Sequence, residues 1–354
     1  MPDFITAPQT PSPDLQHHAE RIRRRWRLPG LGLGRIGPGG AMQLGVAGMR
    51  ARGQACAILP DDKWHIGSIT KSMTALLLAR LVARGLARLD QPLGDLAALP
   101  LHPDLARRTL RALLAHRAGL AANPARTDCF VAHPPDPNQP EGPLRDSVLA
   151  PLLLAAPRPG RFRYSNLGYM LAGHIAEQVG GSPWKQLMRA EIAAPMGLDS
   201  LGFGPPPAPN PMGHGSILSR VLTRRGQGPG CGAPIAHHAA FADLSPAFGP
   251  AGLVHLSLPD LLRYGAAIGC LGRGDDGIVP GAVFCDLISG RDYAGGWVIS
   301  AEGLRHNGSN GLWVADLRID HARRTITAMV SNSGSLGAFI AAGTIGWERI
   351  AHGT

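Results

Sequence analysis

From Ser68 to Arg84 the chain is helical in pattern and apolar almost all the way round, with Leu76, Leu77, Leu78 and Leu81 in its middle and Gly85 closing it. A helix with no polar stripe has to be surrounded, so the rest of the chain must supply layers around it. Leu31–Ile36 and Ala41–Met49 are short apolar stretches on either side of Gly37-Pro38-Gly39-Gly40 and read as a hairpin. Strand-like stretches return at Gly296–Ser300, Leu312–Ile319 and Thr325–Ser331, with a hairpin turn at Asp320–Arg323. Ser12-Pro13 looks like a cap opening a helix to about Arg27, and a last helix runs from Leu336 to about Ala351. From Thr109 to Leu198 the pattern is mostly helical, broken by a proline-rich loop at Asn123–Pro143. Residues 201 to 250 carry much glycine and proline, long for a plain connection and of the kind that forms lids or binding loops. Strands at both ends with helices between predict an α+β fold: an antiparallel sheet built from both termini, flanked by helices, with an all-helical insertion. The predicted division is 12–75 with 251–354 for the α/β part and 76–250 for the insertion, with a site in the cleft between them.

Ser68-Ile69-Thr70-Lys71 opens that buried helix. At about 3.6 residues per turn, side chains at i and i+3 share a face, so the Ser68 hydroxyl and the Lys71 amine can meet. Serine is a weak nucleophile until a neighbouring base takes its proton. The chain has only three lysines, Lys63, Lys71 and Lys185, which makes this spacing informative. The bland alternatives are a helix cap for Ser68 and a surface lysine for Lys71. Two further short motifs follow in order: Tyr164-Ser165-Asn166 before the helical stretch Leu167–Val179, and His306-Asn307-Gly308 before Ser309. Each is weak alone, and their value lies in order and spacing.

The triplet Ser-x-x-Lys, Tyr-x-Asn and (Lys/His)-x-Gly resembles the penicillin-recognising serine hydrolases, which include class C β-lactamases, D-Ala-D-Ala carboxypeptidases and esterases of the same fold. Leu28-Pro29-Gly30, the stretch Thr109–Leu120, Pro195-Met196-Gly197-Leu198 and Ala294-Gly295-Gly296-Trp297 extend the likeness over most of residues 28 to 350. The resemblance implies a β-lactamase/transpeptidase-like fold. It implies that Ser68 is acylated, that Lys71 and Tyr164 together accept its proton, and that Asn166 holds the lysine and a substrate carbonyl or amide. The backbone N–H groups of Ser68 and Ser309 would stabilise the oxyanion, with His306 and Gly308 completing the substrate strand. A free lysine titrates near ~10.4 and a tyrosine near ~10, so bringing either to 7 costs about 4–5 kcal/mol. Burial and neighbouring charge must supply that shift, and the sequence leaves open which group is the formal base.

His306 stands where lysine is common among β-lactamases. A ring that is often neutral at pH 7 suits a substrate carboxylate less than a permanent cation does, so the reading leans to an esterase or amidase. A β-lactamase, a D-Ala-D-Ala carboxypeptidase and a non-catalytic ligand-binding member are the alternatives. Ser182-Pro183-Trp184-Lys185 also fits Ser-x-x-Lys, but serine before proline reads better as a helix cap. Gly32-Leu33-Gly34-Arg35-Ile36-Gly37 fits the dinucleotide fingerprint without its strand–turn–helix context. Asn307-Gly308-Ser309 matches a glycosylation sequon, yet a glycan there would block the cleft. His17-His18 and His237-His238 lack metal-ligand spacing, and neither metal nor cofactor is expected. The formal charge of +10 speaks to non-specific association. The arginines at 21, 23, 24, 25 and 27 read as the solvated face of a helix, so no specific nucleic-acid partner is expected. No stretch reaches the ~20 apolar residues of a membrane span. Five scattered cysteines and an N-terminus without an apolar signal core lead to the expectation of a cytoplasmic protein acting on a small molecule.

Overall fold

The computed structural model describes residues 9–124, 141–158, 160–215, 232–239, 242–290 and 292–344. Helix α1 (Pro13–Arg25) starts where Ser12 Oγ accepts from Leu15 N at 3.3 Å. Strands β1 (Gln9–Pro11), β2 (Gly30–Ile36) and β3 (Met42–Gly48) join five from the C-terminal part: β9 (Tyr293–Ala294), β10 (Trp297–Ile299), β11 (Gly303–Ser309), β12 (Val314–Asp320) and β13 (Thr325–Ser331). They form one eight-stranded sheet in the order β1-β3-β2-β13-β12-β11-β10-β9. All its neighbours are antiparallel except β1 on β3. The seam between the two ends of the chain is β2 on β13, running from Leu31↔Ser331 to Ile36↔Ile326.

The two faces of β2 divide by the period-two rule. Leu31 and Leu33 point toward α1 and the C-terminal helix (Leu336–Thr344), joining Leu15, Ala19, Met329 and Ala338 in one apolar layer. Gly32 and Gly34 face the other way. A Cβ on Gly32 would come within 3.2 Å of Leu258, and one on Gly34 within 2.6 Å of Leu262. The glycines that mimic a phosphate-binding fingerprint are therefore clearance for the helix Leu258–Leu271, which packs directly on the sheet.

Helix α2 (Thr70–Ala83) lies at the centre, with Leu76, Leu77, Leu78 and Leu81 all fully buried. Burial of four such side chains contributes roughly 6–12 kcal/mol. The helices Asn166–Gly180 and Gly281–Leu287 pack against it.

Several elements differ from expectation. Ser68 does not head α2: it lies in a short 3₁₀ turn, Gly67–Ile69, that feeds into it, and no side chain caps either element. A second sheet, unexpected from sequence, pairs β4 (Lys63–His65) and β5 (Gly202–Phe203) with β8 (Val254–Ser257). Two more two-residue strands, β6 (Gly213–His214) and β7 (Pro234–Ile235), pair within the stretch read as irregular. The helix Leu258–Leu271 was also unexpected. It is buried on nearly every side, Ser257 caps it and Pro259 sits in its first turn. A helix begins at Glu141, inside the expected loop at Asn123–Pro143, of which 125–140 lie outside the described residues. Beyond Thr344 the expected last helix likewise lies outside them. Ser182 is not the cap it resembles: the short helix Trp184–Leu187 has no side-chain cap, and Lys185 pairs with Glu141. No helix among the described residues is long and apolar enough to cross a membrane.

Candidate active site

Ser68 is carried by the tight turn between β4 and α2. Gly67 makes the turn with φ +53°, the left-handed region that glycine enters without strain. Three residues on, Lys71 points back down the first turn of α2, and its Nζ lies 3.0 Å from Ser68 Oγ. The same Nζ donates to the carbonyl of Ala251 at 2.6 Å. Lys71 is fully buried, and among the described residues no carboxylate pairs with it. Loss of solvation therefore drives its pKa well below the ordinary lysine value.

Tyr164 arrives from the turn before the helix Asn166–Gly180, and its hydroxyl hydrogen-bonds Ser68. Burial pushes this phenol upward, and the bond to Ser68 offsets only part of that shift. The Lys71 ammonium position lies 4.9 Å from the centre of the Tyr164 ring and 5.8 Å from that of Tyr169. Hydroxyl, amine and phenol thus meet at one point from two separate segments.

β11 closes the other side. A Cβ on Gly67 would sit 2.2 Å from Ser309 N, and one on Gly308 would sit 2.0 Å from Ile66 O and 2.5 Å from Ser68 N. Only glycine at both positions allows the Ser68 turn and the Ser309 strand to touch backbone to backbone. A third glycine acts behind the lysine. Gly296, at φ +82°, brings the β9–β10 turn to within 2.4 Å of the Ser72 backbone measured from an ideal Cβ.

His306 is buried, its Nδ1 2.5 Å from the carbonyl of Asn307 and its Nε2 3.2 Å from the Tyr293 hydroxyl. With Nδ1–H donating to the carbonyl, Nε2 accepts from the phenol. Burial, followed by the charge of Lys71, lowers its pKa to about 3, so the ring is neutral at ordinary pH. Asn166 sits at the start of its helix, where its Nδ2 donates to Asn123 Oδ1 at 2.7 Å. The lysine is held by Ala251 O, and not by Asn166, which is engaged with Asn123 at the start of the proline-rich loop.

Sequence reasoning missed three contributors. Ala251 supplies only its carbonyl, which no side-chain pattern reveals. Tyr293 precedes the Ala294-Gly295-Gly296-Trp297 run and anchors His306. His116 lies inside the Thr109–Leu120 stretch at φ +57°, and its Nδ1 accepts from Ser165 N at 3.1 Å. Its ring centre is 4.4 Å from that of Tyr164 and 4.6 Å from that of Tyr293. Burial above all lowers it to about 2. A non-glycine residue with positive φ inside a motif stretch was a detectable signal only after the backbone was known.

Comparison with known proteins gives the family and the fold. The family model described as Beta-lactamase matches residues 18–344. Penicillin-binding protein 4 of Amycolatopsis lactamdurans is 25% identical over 366 residues, covering 92% of this chain and 87% of the relative. Esterase/beta-lactamase LipL of Mycobacterium tuberculosis is 31% identical over 164 residues, 45% of this chain and 35% of its own length. Among solved structures, the D-amino acid amidase from Ochrobactrum anthropi SV3 superposes with a TM-score of 0.74 at 20% identity, covering 96% of this chain and 98% of that one. The octameric penicillin-binding protein homologue from Pyrococcus abyssi gives 0.70 at 22% identity, with 94% and 76% covered. The structural neighbours share the β-lactamase/transpeptidase-like fold. The chain belongs to the Beta-lactamase family, whose members are serine hydrolases.

Proposed function

We propose that the protein hydrolyses small esters or amides through an acyl-enzyme on Ser68. One observation carries the reading: an amine with no carboxylate partner among the described residues, fully buried and 3.0 Å from the serine oxygen. Burial acts on both candidate bases in the direction of neutrality. It leaves the amine free to accept a proton and the phenol protonated. The neutral amine gives one N–H to Ala251 O and turns its lone pair to the Ser68 hydroxyl. That hydroxyl accepts in turn from Tyr164.

On attack, the Ser68 proton passes to Lys71 as Oγ bonds to the substrate carbonyl carbon. The carbonyl oxygen takes the negative charge and is held by the N–H groups of Ser68 and Ser309, each such donor contributing about 3–4 kcal/mol in comparable sites. Tyr164 delivers a proton to the departing oxygen or nitrogen and is reprotonated from Lys71. Water then repeats the sequence on the acyl group and releases Ser68. Asn166, His306 and Gly308 border the substrate. Asn166 meets the acyl amide or carbonyl, and its bond to Asn123 is what the substrate displaces or extends.

The neutral His306 ring, already engaged by Tyr293, favours substrates whose binding does not depend on a carboxylate. β-Lactams and acyl-D-Ala-D-Ala peptides are the runner-up, in keeping with relatives named penicillin-binding protein and esterase/beta-lactamase. We place the activity in the cytoplasm, which fractionation of the native host tests. Incubation with an ester and amide panel, nitrocefin, a penicillin and an acyl-D-Ala-D-Ala peptide, followed by intact mass, ranks the substrates. An adduct on the Ser68 peptide is expected. Full turnover by Ser68→Ala would overturn the assignment.

A further inference from the structure

Behind the nucleophile lies a set of polar side chains that the chemistry above does not use. His65, the last residue of β4, is fully buried, and its Nδ1 accepts the N–H of Gly67 at 3.1 Å. Its Nε2 lies 3.0 Å from Asp243 Oδ2, facing it without full hydrogen-bond alignment. The other oxygen of Asp243 accepts from Asn310 Nδ2 at 3.0 Å. Asn310 Oδ1 in turn accepts from Leu312 N at 3.0 Å and Trp313 N at 3.2 Å, holding the turn that follows Ser309. The His65 ring also stacks on the Trp313 indole, centres 5.9 Å apart.

A histidine and a carboxylate close to a serine suggest a triad, but the geometry excludes one. Nδ1 of His65 is occupied by Gly67 N–H and Nε2 is turned to Asp243, so neither ring nitrogen is free for Ser68. The carboxylate is instead shared between two arms. One runs through His65 to Gly67, the residue immediately before Ser68. The other runs through Asn310, the residue immediately after Ser309. Those two backbones meet at the position where ideal Cβ atoms on Gly67 and Gly308 would collide with Ser309 N and Ser68 N.

We infer that Asp243 is a positioning residue, which through His65 and Asn310 holds the N–H groups of Ser68 and Ser309 at the separation that the oxyanion requires. The inference rests on the oxyanion role proposed above and adds a side chain that sets its geometry. A carboxylate that is almost fully buried costs desolvation energy unless its acceptors are used. Here Oδ1 accepts from Asn310 Nδ2 and Leu244 N while Oδ2 faces His65 Nε2, so the carboxylate sits between the strand leading into the Ser68 turn and the large sheet carrying Ser309. Oxyanion donors act through preorganisation, so loosening either arm should weaken the tetrahedral state more than the bound ester.

The test compares Asp243→Ala and Asn310→Ala, which cut the junction and one arm, with Asp243→Asn, which keeps an acceptor for Asn310. Substrate is a p-nitrophenyl ester, and phenylboronic acid serves as the tetrahedral probe on Ser68. For both alanine variants kcat should fall about 10–100-fold with KM within about two-fold, less than outright removal of an oxyanion donor. Boronate affinity should fall in parallel, and Asp243→Asn should recover part of both. If Asp243→Ala does not fold, Asn310→Ala carries the same test. Unchanged kcat in the folded alanine variants, or a fall in kcat with unaltered boronate affinity, overturns the inference. Ser68→Ala separates the two levels: its inactivity alongside fully active Asp243 and Asn310 variants sinks only the positioning role, whereas its full activity sinks the reaction itself.

Discussion

Lys71→Met puts the buried base to its most direct test. An ionised lysine in this position has two neutral oxygens for company, Ser68 Oγ and Ala251 O. Its pKa in the folded protein is lowered by desolvation, while in the unfolded chain it stays near ~10.4. Between those two values the unfolded chain binds one more proton than the folded one, so wild-type stability rises with pH. The slope from this one group is about 1.4 kcal/mol per pH unit. Methionine has a similar length and no proton to lose, so the variant lacks that slope. The difference in unfolding free energy, variant minus wild type, should therefore fall by about 1.4 kcal/mol for each pH unit between the folded and the unfolded pKa of Lys71. Groups common to both chains cancel in the difference. Set against this, the variant loses bonds of about 1 kcal/mol each and leaves Ala251 O unpaired, an offset that does not vary with pH. Urea unfolding at four pH values across this window reads the slope, and an esterase assay reads the expected loss of turnover. Parallel stability profiles for the two proteins would mean that the folded lysine keeps its proton as a free one does, and the proposed base would be lost.

Three further outcomes are expected. Tyr164→Phe should keep the fold and reduce kcat by about 10²–10⁴-fold, the range for a positioned proton-transfer group, as read by steady-state kinetics beside a melting curve. His306, lowered to about 3 by burial, binds no proton when folded while its unfolded counterpart takes one below about 6.5. Its contribution to stability is complete above that upper value and is lost as pH falls toward the lower one. His306→Gln should thus flatten acid destabilisation by about 1.4 kcal/mol per unit between pH 6 and pH 4, which denaturant titrations would detect. Gly296→Ala forces a Cβ to 2.4 Å from the Ser72 backbone at φ +82°. Strain and overpacking together should cost about 2–4 kcal/mol and displace Lys71, lowering both the melting temperature and kcat.

Much of the scaffold was legible because it is written in short-range pattern. The β2–β3 hairpin, the Ser12 cap and the β12–β13 turn each depend on residues close along the chain. Ser68 and Lys71 belong to the same category: three positions apart at a helix start, they meet at 3.0 Å wherever that helix is placed. Tyr164 and His306 were found through family resemblance, since nothing local in Tyr-x-Asn or His-x-Gly dictates what they face. The helix Leu258–Leu271 escaped although its start is written locally in the Ser257 cap and Pro259: it follows β8 with no intervening residue, so no loop composition marks the change.

Sequence alone settled the β2–β3 and β12–β13 hairpins, the first helix and the central helix, and that a hydroxyl and an amine share one turn, because those are consequences of backbone period. Tertiary structure decided that the amine is dehydrated, that Ala251 O holds it, and that His306 is a neutral ring bound by Tyr293. It also decided that glycines at 67, 296 and 308 are clearances rather than turns of convenience. Solvation and close approach are properties of the surroundings, and for Lys71 and the three glycines the surroundings come from segments some 180 to 240 positions away.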